Sequence, residues 1–262
     1  MAQIKPELIR IAARQVRVWQ GGAGPNLILL HGGLGDAQWH WHSVWDTLTA
    51  TFRVVAPDLP RFGGTVELPE LSWIELVEWL ARVQTLIGMS DAALVGNSFG
   101  GALARFYAAA EPARVTRLIL ADGGHATRLP KFARALARKS FTEPFWELLR
   151  RQTFSEHSIR RAFAEPARVT PEMIRASQDA SRGFIALLRQ VAAGELPART
   201  IPPQPTLLVW GERDHLSPVA RARELAAEIP HAQLALIKNA GHMPQLEDPL
   251  SFVHLVREFF KP

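Results

Sequence analysis

The chain has 262 residues, 47% hydrophobic and 21% charged, with 30 Lys+Arg against 25 Asp+Glu for a formal charge of +5. That apolar content and modest net charge exclude an intrinsically disordered chain and suit one large α/β domain or two small ones. The complete lack of cysteine excludes disulfides, thiolate zinc sites, iron–sulfur clusters and a cysteine nucleophile, and the lack of an apolar leader or membrane-length apolar run predicts a cytoplasmic protein without a membrane span.

In chain order, Leu8–Ala12 and Gln15–Trp19 read as two short strands, followed by the turn Gly21-Gly22-Ala23-Gly24. Further strands are predicted at Asn26–Leu30, Arg53–Pro57, Ala92–Val95, Arg117–Ala121, Thr206–Trp210 and Gln233–Ile237. Several of these are continuous apolar runs, the signature of strands buried on both faces, so a mostly parallel sheet covered by helices is expected. Helical periodicity fills the gaps at Trp41–Ala50, Trp73–Ile87, Gly100–Ala109, Pro218–Ile229 and Pro249–Phe260.

One gap is far too long for a simple connection. Between Ala121 and Thr206 the apolar residues, from Phe132 and Leu136 through Ile174 and Phe184 to Val191, recur at helical spacing, and prolines 130, 144, 166, 171 and 197 divide the stretch. Four or five short helices are expected there. The implied domain division is a core of residues 1–124 and 201–262 with a helical cap, or lid, of residues 125–200. That cap holds 14 of the 30 basic and 7 of the 25 acidic residues, a charge of +7 against −2 for the core. The excess therefore belongs to one segment; its arginines either solvate the outer face or draw anionic substrates inward.

The local sequence richest in chemistry is Gly96-Asn97-Ser98-Phe99-Gly100-Gly101, with a strand before it and a helix after it. A strand that turns at once into a helix strains its central residue and tolerates only small neighbours two positions away, which presents Ser98 as an exposed nucleophile. The helix after the turn aims the Phe99 N–H at developing negative charge. A serine nucleophile needs a base, and the base needs an orienting carboxylate. His242 follows the last strand and Asp214 the one before it, both at the carboxyl edge where Ser98 lies. Asp122 also ends a strand and competes as the acid, but Asp214 is the expected one, because Gly211-Glu212-Arg213-Asp214 leads directly into the last helix–strand–His242 unit. After Asn26–Leu30 comes His31-Gly32-Gly33-Leu34-Gly35, whose glycines let the backbone pass close to a substrate. The second oxyanion donor is then the Gly33 N–H, with Leu34 as the near alternative, and His31 reads as structural.

These motifs, with Pro57-Asp58-Leu59-Pro60-Arg61-Phe62-Gly63, match an α/β-hydrolase-fold enzyme in order and spacing over essentially the full length, and the chain resembles that family. Arg61 stands where the family commonly has glycine. The resemblance implies an eight-stranded sheet with the second strand antiparallel and a cap inserted after the sixth. It places Trp39, Trp41, Phe62, Phe99 and Met243 near the substrate pocket.

Serine at the elbow disfavours the branches that use aspartate there. A carboxylic ester hydrolase is the leading reading, with a small-molecule ester or related acyl substrate and no cofactor. The elbow also resembles that of carbon–carbon bond hydrolases of the meta-cleavage-product type, and a basic cap suits their acidic dienoates. Against it, Met243 stands where that branch has tryptophan, and Gly33-Leu34-Gly35-Asp36 where it has Gly-Pro-Gly. A ligand receptor that keeps the triad is the reading of another class. His40 and His42 with Asp36 lack a further carboxylate at ligand spacing, so no metal site is expected. No phosphate-binding glycine loop is present, and nothing in the sequence groups the cap arginines into a nucleic-acid surface.

Overall fold

Apolar residues at successive positions of the central strands point to opposite faces of one sheet, and each face buries its own set. Ile28, Leu30, Leu94, Leu118, Leu120, Leu208 and Trp210 belong to one core, while Leu27, Leu29, Ala93, Val95, Ile119, Leu207 and Val209 belong to the other. In the computed structural model, which describes residues 4–65, 71–126, 129–137, 139–198 and 200–261, eight strands form this sheet. They are β1 (Lys5–Ile11), β2 (Arg14–Gly21), β3 (Asn26–Leu30), β4 (Arg53–Pro57), β5 (Ala92–Asn97), β6 (Val115–Ala121), β7 (Thr206–Gly211) and β8 (Gln233–Ile237). Their order is β1-β2-β4-β3-β5-β6-β7-β8. β2 runs antiparallel to both its neighbours, and every other pairing is parallel.

The helices are α1 (Ala37–Trp41), α2 (Trp45–Thr49), α3 (Trp73–Leu86), α4 (Phe99–Ala110), α5 (Lys131–Ala137), α6 (Glu143–Thr153), α7 (Glu156–Arg161), α8 (Pro171–Ala193), α9 (Val219–Glu228), α10 (Pro244–Glu247) and α11 (Pro249–Phe260). Residues of α3, α4 and α9 pack on the first face; those of α1, α2 and α11 pack on the second. None of the described helices is long and apolar enough to cross a membrane.

Three expectations are corrected. The helix anticipated over Trp41–Ala50 is two shorter ones, because the Asp36 carboxylate accepts the Trp39 N–H and starts α1 earlier. β8 lies at the sheet edge and is mostly exposed rather than buried on both faces. The long segment after β6 ends in a single 23-residue helix, α8. Pro171 occupies its first turn, where a missing N–H is harmless, so this proline does mark a boundary between helices, and only the expected shortness of the helix after it is overturned. The side chains of Phe132 and Leu136 lie outside the described residues.

Helices α5–α8 are seated on the carboxyl edge of the sheet. Ser177 Oγ on α8 donates to Leu34 O at 2.8 Å, and the His242 N–H donates to Ala162 O at 2.7 Å. Much of the segment's positive charge is spent locally. Arg150 and Arg151 pair with Glu147, Arg160 with Glu156, Arg175 with Glu172 and Arg189 with Glu143, mostly at helix spacings of three or four on half-exposed or exposed faces. Such pairs are screened by solvent, which favours solvation over steering as the role of these arginines.

Candidate active site

The turn between β5 and α4 fixes Ser98. Its backbone sits at φ 55°, ψ −116°, a region few side chains occupy. The turn closes because Gly96 and Gly100 carry no side chain. A Cβ on Gly96 would lie 2.4 Å from Gly100 O, and one on Gly100 would lie 2.2 Å from Leu30 O and 2.5 Å from His31 O. The Ser98 N–H donates to Ala121 O at 2.9 Å, joining the turn to the end of β6.

His242, in the loop after β8, places Nε2 2.9 Å from Ser98 Oγ and Nδ1 2.8 Å from Asp214 Oδ2. Asp214 is held in turn by its other oxygen, which accepts the Leu216 and Ser217 N–H groups at 2.7 and 2.8 Å. The arrangement is a Ser–His–Asp chain, buried at His242 and Asp214 and partly open at Ser98, in which the carboxylate selects the tautomer that leaves Nε2 free to accept the Ser98 proton. Of the two candidate acids, Asp214 is the one at hydrogen-bond distance from His242. Asp122 lies beside it, with Oδ1 accepting the Gly211 N–H at 2.9 Å.

Gly32 abuts Ser98, since a Cβ there would stand 2.9 Å from Ser98 Cβ, and the next backbone unit is Gly33–Leu34. Phe99 opens α4, so its N–H has no carbonyl within the helix to serve and is available to a substrate oxygen. Two buried histidines hold the glycine loop. His40 Nε2 accepts the Gly32 N–H at 3.0 Å with Nδ1 3.3 Å from Asp36 O, and His31 Nε2 accepts the Leu59 N–H at 2.9 Å with Nδ1 2.8 Å from Gly32 O. Each ring accepts at Nε2 and therefore carries its proton on Nδ1. Burial pushes His40 well below the usual histidine range and lowers His31 as well. His42 is exposed, with Nδ1 2.9 Å from Trp39 O, and Asp36 caps α1 and pairs with Arg17.

Because His31 and His40 stay neutral when folded but protonate near pH 6.5 when unfolded, their contribution to stability is full above that pH and is lost as pH falls. Each costs about 1.4 kcal/mol per pH unit below 6.5 while its folded form remains neutral. Replacing His40 with phenylalanine should flatten this acid limb in denaturant titrations from pH 8 to pH 5. It should also lower stability at pH 8 by about 1–3 kcal/mol, by leaving the Gly32 N–H unsatisfied. An unchanged limb would show that His40 titrates normally.

A cavity of about 390 Å³ opens beside Ser98 and His242, with apolar walls from Phe99, Phe184 and Leu188 and polar ones from Asp122, His125 and Arg221. Phe184 of α8 covers Gly33: a Cβ there would touch its ring at 2.8 Å. The lining does not include four residues expected near the substrate, of which Trp41 is fully buried in the second core. Trp39 packs partly buried against the core beneath α5–α8, Met243 is fully buried in it, and Phe62 is buried with its ring edge-on to His31 at 4.8 Å. These large side chains are consumed by packing behind the glycine loop. Sequence reasoning missed Phe184, Leu188, Leu216, His125 and Arg221 as lining residues, because contact across the β7 loop and α8 leaves no local pattern. It also missed Glu247, whose carboxylate accepts the Gly241, Met243 and Ala164 N–H groups and fixes the His242 loop.

Known proteins share this architecture. The family model described as the alpha/beta hydrolase fold matches residues 25–249. A 2-hydroxymuconate semialdehyde hydrolase of Pseudomonas sp. (strain CF600) is 30% identical, with 98% of this chain and 95% of that protein covered. Among solved structures, a meta-cleavage product hydrolase from Pseudomonas fluorescens IP01 is 26% identical with a TM-score of 0.77, covering 97% of each chain. A thermophilic esterase from Thermogutta terrifontis is also 26% identical with a TM-score of 0.77, covering 98% of this chain and 97% of the other.

Proposed function

The chain belongs to the alpha/beta hydrolase fold family, and on that premise we propose that it is a serine hydrolase that cleaves carboxylic esters of small molecules through an acyl-enzyme. The observation that carries this reading is the Ser98–His242–Asp214 chain at 2.9 and 2.8 Å beside an open cavity. Ser98 Oγ attacks the ester carbonyl while His242 Nε2 takes its proton, and the Asp214 carboxylate stabilises the imidazolium that forms. The negative oxygen of the tetrahedral intermediate is held by the Phe99 and Gly33 N–H groups. His242 then gives its proton to the leaving alcohol, and water repeats the sequence on the acyl-enzyme. Residues 125–200 act as the cap, with Phe184 and Leu188 closing the cavity from above.

A second reading is carbon–carbon bond hydrolysis of a dienoate ring-fission product, in which the same machinery acts on a ketone carbonyl. It is favoured by the 30% identity to the 2-hydroxymuconate semialdehyde hydrolase and by His125 and Arg221 among the polar wall residues, which can face an anionic dienoate. Purified protein assayed on nitrophenyl acetate, butyrate and octanoate beside such a dienoate separates the two. Ester turnover with kcat/KM above about 10⁴ M⁻¹s⁻¹ and no dienoate turnover supports the ester reading; the reverse ranking replaces it. Tight binding of either compound without multiple turnover supports a receptor.

A further inference from the structure

The geometry around the triad acid points to a second carboxyl with a defined role: we propose that Asp122 is a neutral carboxylic acid at physiological pH, positions Asp214 by donating its proton toward it, and ionises to replace it as the partner of His242 when Asp214 is neutralised. This rests on the serine-hydrolase reading for its kinetic part only. One oxygen of Asp122, one of Asp214 and a ring nitrogen of His242 all lie within 4.8 Å of one another, and all three residues are buried. Two carboxylates that close, out of water, do not both ionise. The hydrogen bonds decide which one keeps the proton. Asp214 receives three donors, the Leu216 and Ser217 N–H groups and His242 Nδ1, all within 2.8 Å. Asp122 receives one, the Gly211 N–H at 2.9 Å, and its Oδ2 is buried with no hydrogen-bond partner among the described residues.

An ionised oxygen so placed would be costly, whereas a protonated one becomes a donor facing the acceptor-rich Asp214. The surrounding charge agrees: Asp214 from the β7 loop and Glu247 from α10 both oppose ionisation, and burial with these neighbours pushes Asp122 well above the usual carboxylate range. Its place is rigid. The Asp122 N–H donates to Val209 O at 3.0 Å, its backbone is held at φ 48°, and a Cβ on the next residue, Gly123, would lie 2.2 Å from Ser98 O. Without a negative Asp214 the nearest charge opposing its ionisation is gone, and its carboxylate then stands beside His242 as the charge that can orient the ring.

Infrared difference spectra and pH-resolved kinetics of the full chain test this. At neutral pH the wild type should show the carbonyl stretch of a protonated carboxylic acid, lost in Asp122→Asn and retained in Glu247→Gln. Asp214→Asn should also lose the band, because Asp122 has ionised, and should keep at least about tenfold more kcat than Asp214→Asn/Asp122→Asn, with the effects of the two substitutions non-additive. Absence of the band, its persistence in Asp122→Asn, or equal rates for Asp214→Asn and the double variant would each overturn the assignment. The band is read without substrate, so Ser98→Ala, which tests the hydrolase reading, leaves it in place.

Discussion

Ser98→Ala is expected to lower kcat/KM on the best ester by at least about 10⁴-fold, with a residue of catalysis left from substrate binding and the N–H groups of Phe99 and Gly33. The magnitude reflects what is removed: the hydroxyl 2.9 Å from His242 Nε2, and with it the covalent intermediate. Stability separates loss of chemistry from loss of fold. Alanine at φ 55°, ψ −116° is as strained as serine, so Ser98→Ala should unfold within about 1 kcal/mol of the wild type. Ser98→Gly, equally inactive, should be more stable than Ser98→Ala by about 1 kcal/mol, because glycine occupies that backbone region without a Cβ clash. Urea titrations of both variants beside nitrophenyl ester assays give the result. Hydrolysis that survives Ser98→Ala would end the acyl-enzyme reading, and equal stability of the two variants would remove the strain from it.

Gly100→Ala is the second substitution with a large expected effect, and here two opposing terms must be compared. Gly100 lies in α4, where replacing glycine with alanine in a free helix would gain about 1 kcal/mol. The new Cβ, however, would meet Leu30 O at 2.2 Å and His31 O at 2.5 Å, and both are main-chain atoms of a strand end and its loop, not flexible side-chain tips. Relieving that overlap means moving α4 or β3, a core overpacking that costs about 3 kcal/mol or more. The net expectation is a loss of at least about 2 kcal/mol in denaturant unfolding. Activity should fall as well, since His31–Gly33 is the segment displaced. A variant as stable as the wild type would show that the elbow has slack that the distances do not reveal.

Several parts of the fold are legible in the sequence because they depend on neighbours along the chain. β3, β4 and β8 lie at their expected limits, because short apolar runs bounded by turns have few alternatives. The elbow is legible partly for the same reason: Gly96 answers a steric demand from Gly100 within five residues, whereas Gly100 itself must be small because of Leu30 and His31 at the end of β3. Ser98, Asp214 and His242 share one edge because each stands just after a strand of a parallel sheet. The resemblance to the α/β-hydrolase fold supplies the antiparallel second strand and the position of the inserted helices, which periodicity alone does not order.

The competition between Asp122 and Asp214 is different in kind. Both residues end parallel strands, and in sequence only their C-terminal neighbours tell them apart. The choice depends on the turn Asp214–Ser217, whose N–H groups grip one carboxylate oxygen and turn the other toward His242. The environment of Asp122 is also three-dimensional: its raised pKa comes first from burial and then from Asp214, 92 positions away, and Glu247, all of which act only in the folded chain.

By itself, then, the sequence determined the alternation of strands and helices, the strained serine turn and the strand ends from which its partners emerge, because local sterics and hydrophobic periodicity act over a few residues. The tertiary structure decided which large side chains face the cavity. Trp39, Phe62 and Met243 are drawn into packing behind the glycine loop while Phe184 of α8 comes down over it and Leu188 lines the cavity. That outcome is set by how α5–α8 settle on the sheet edge, a fit of surfaces distant in sequence that no spacing within the chain encodes.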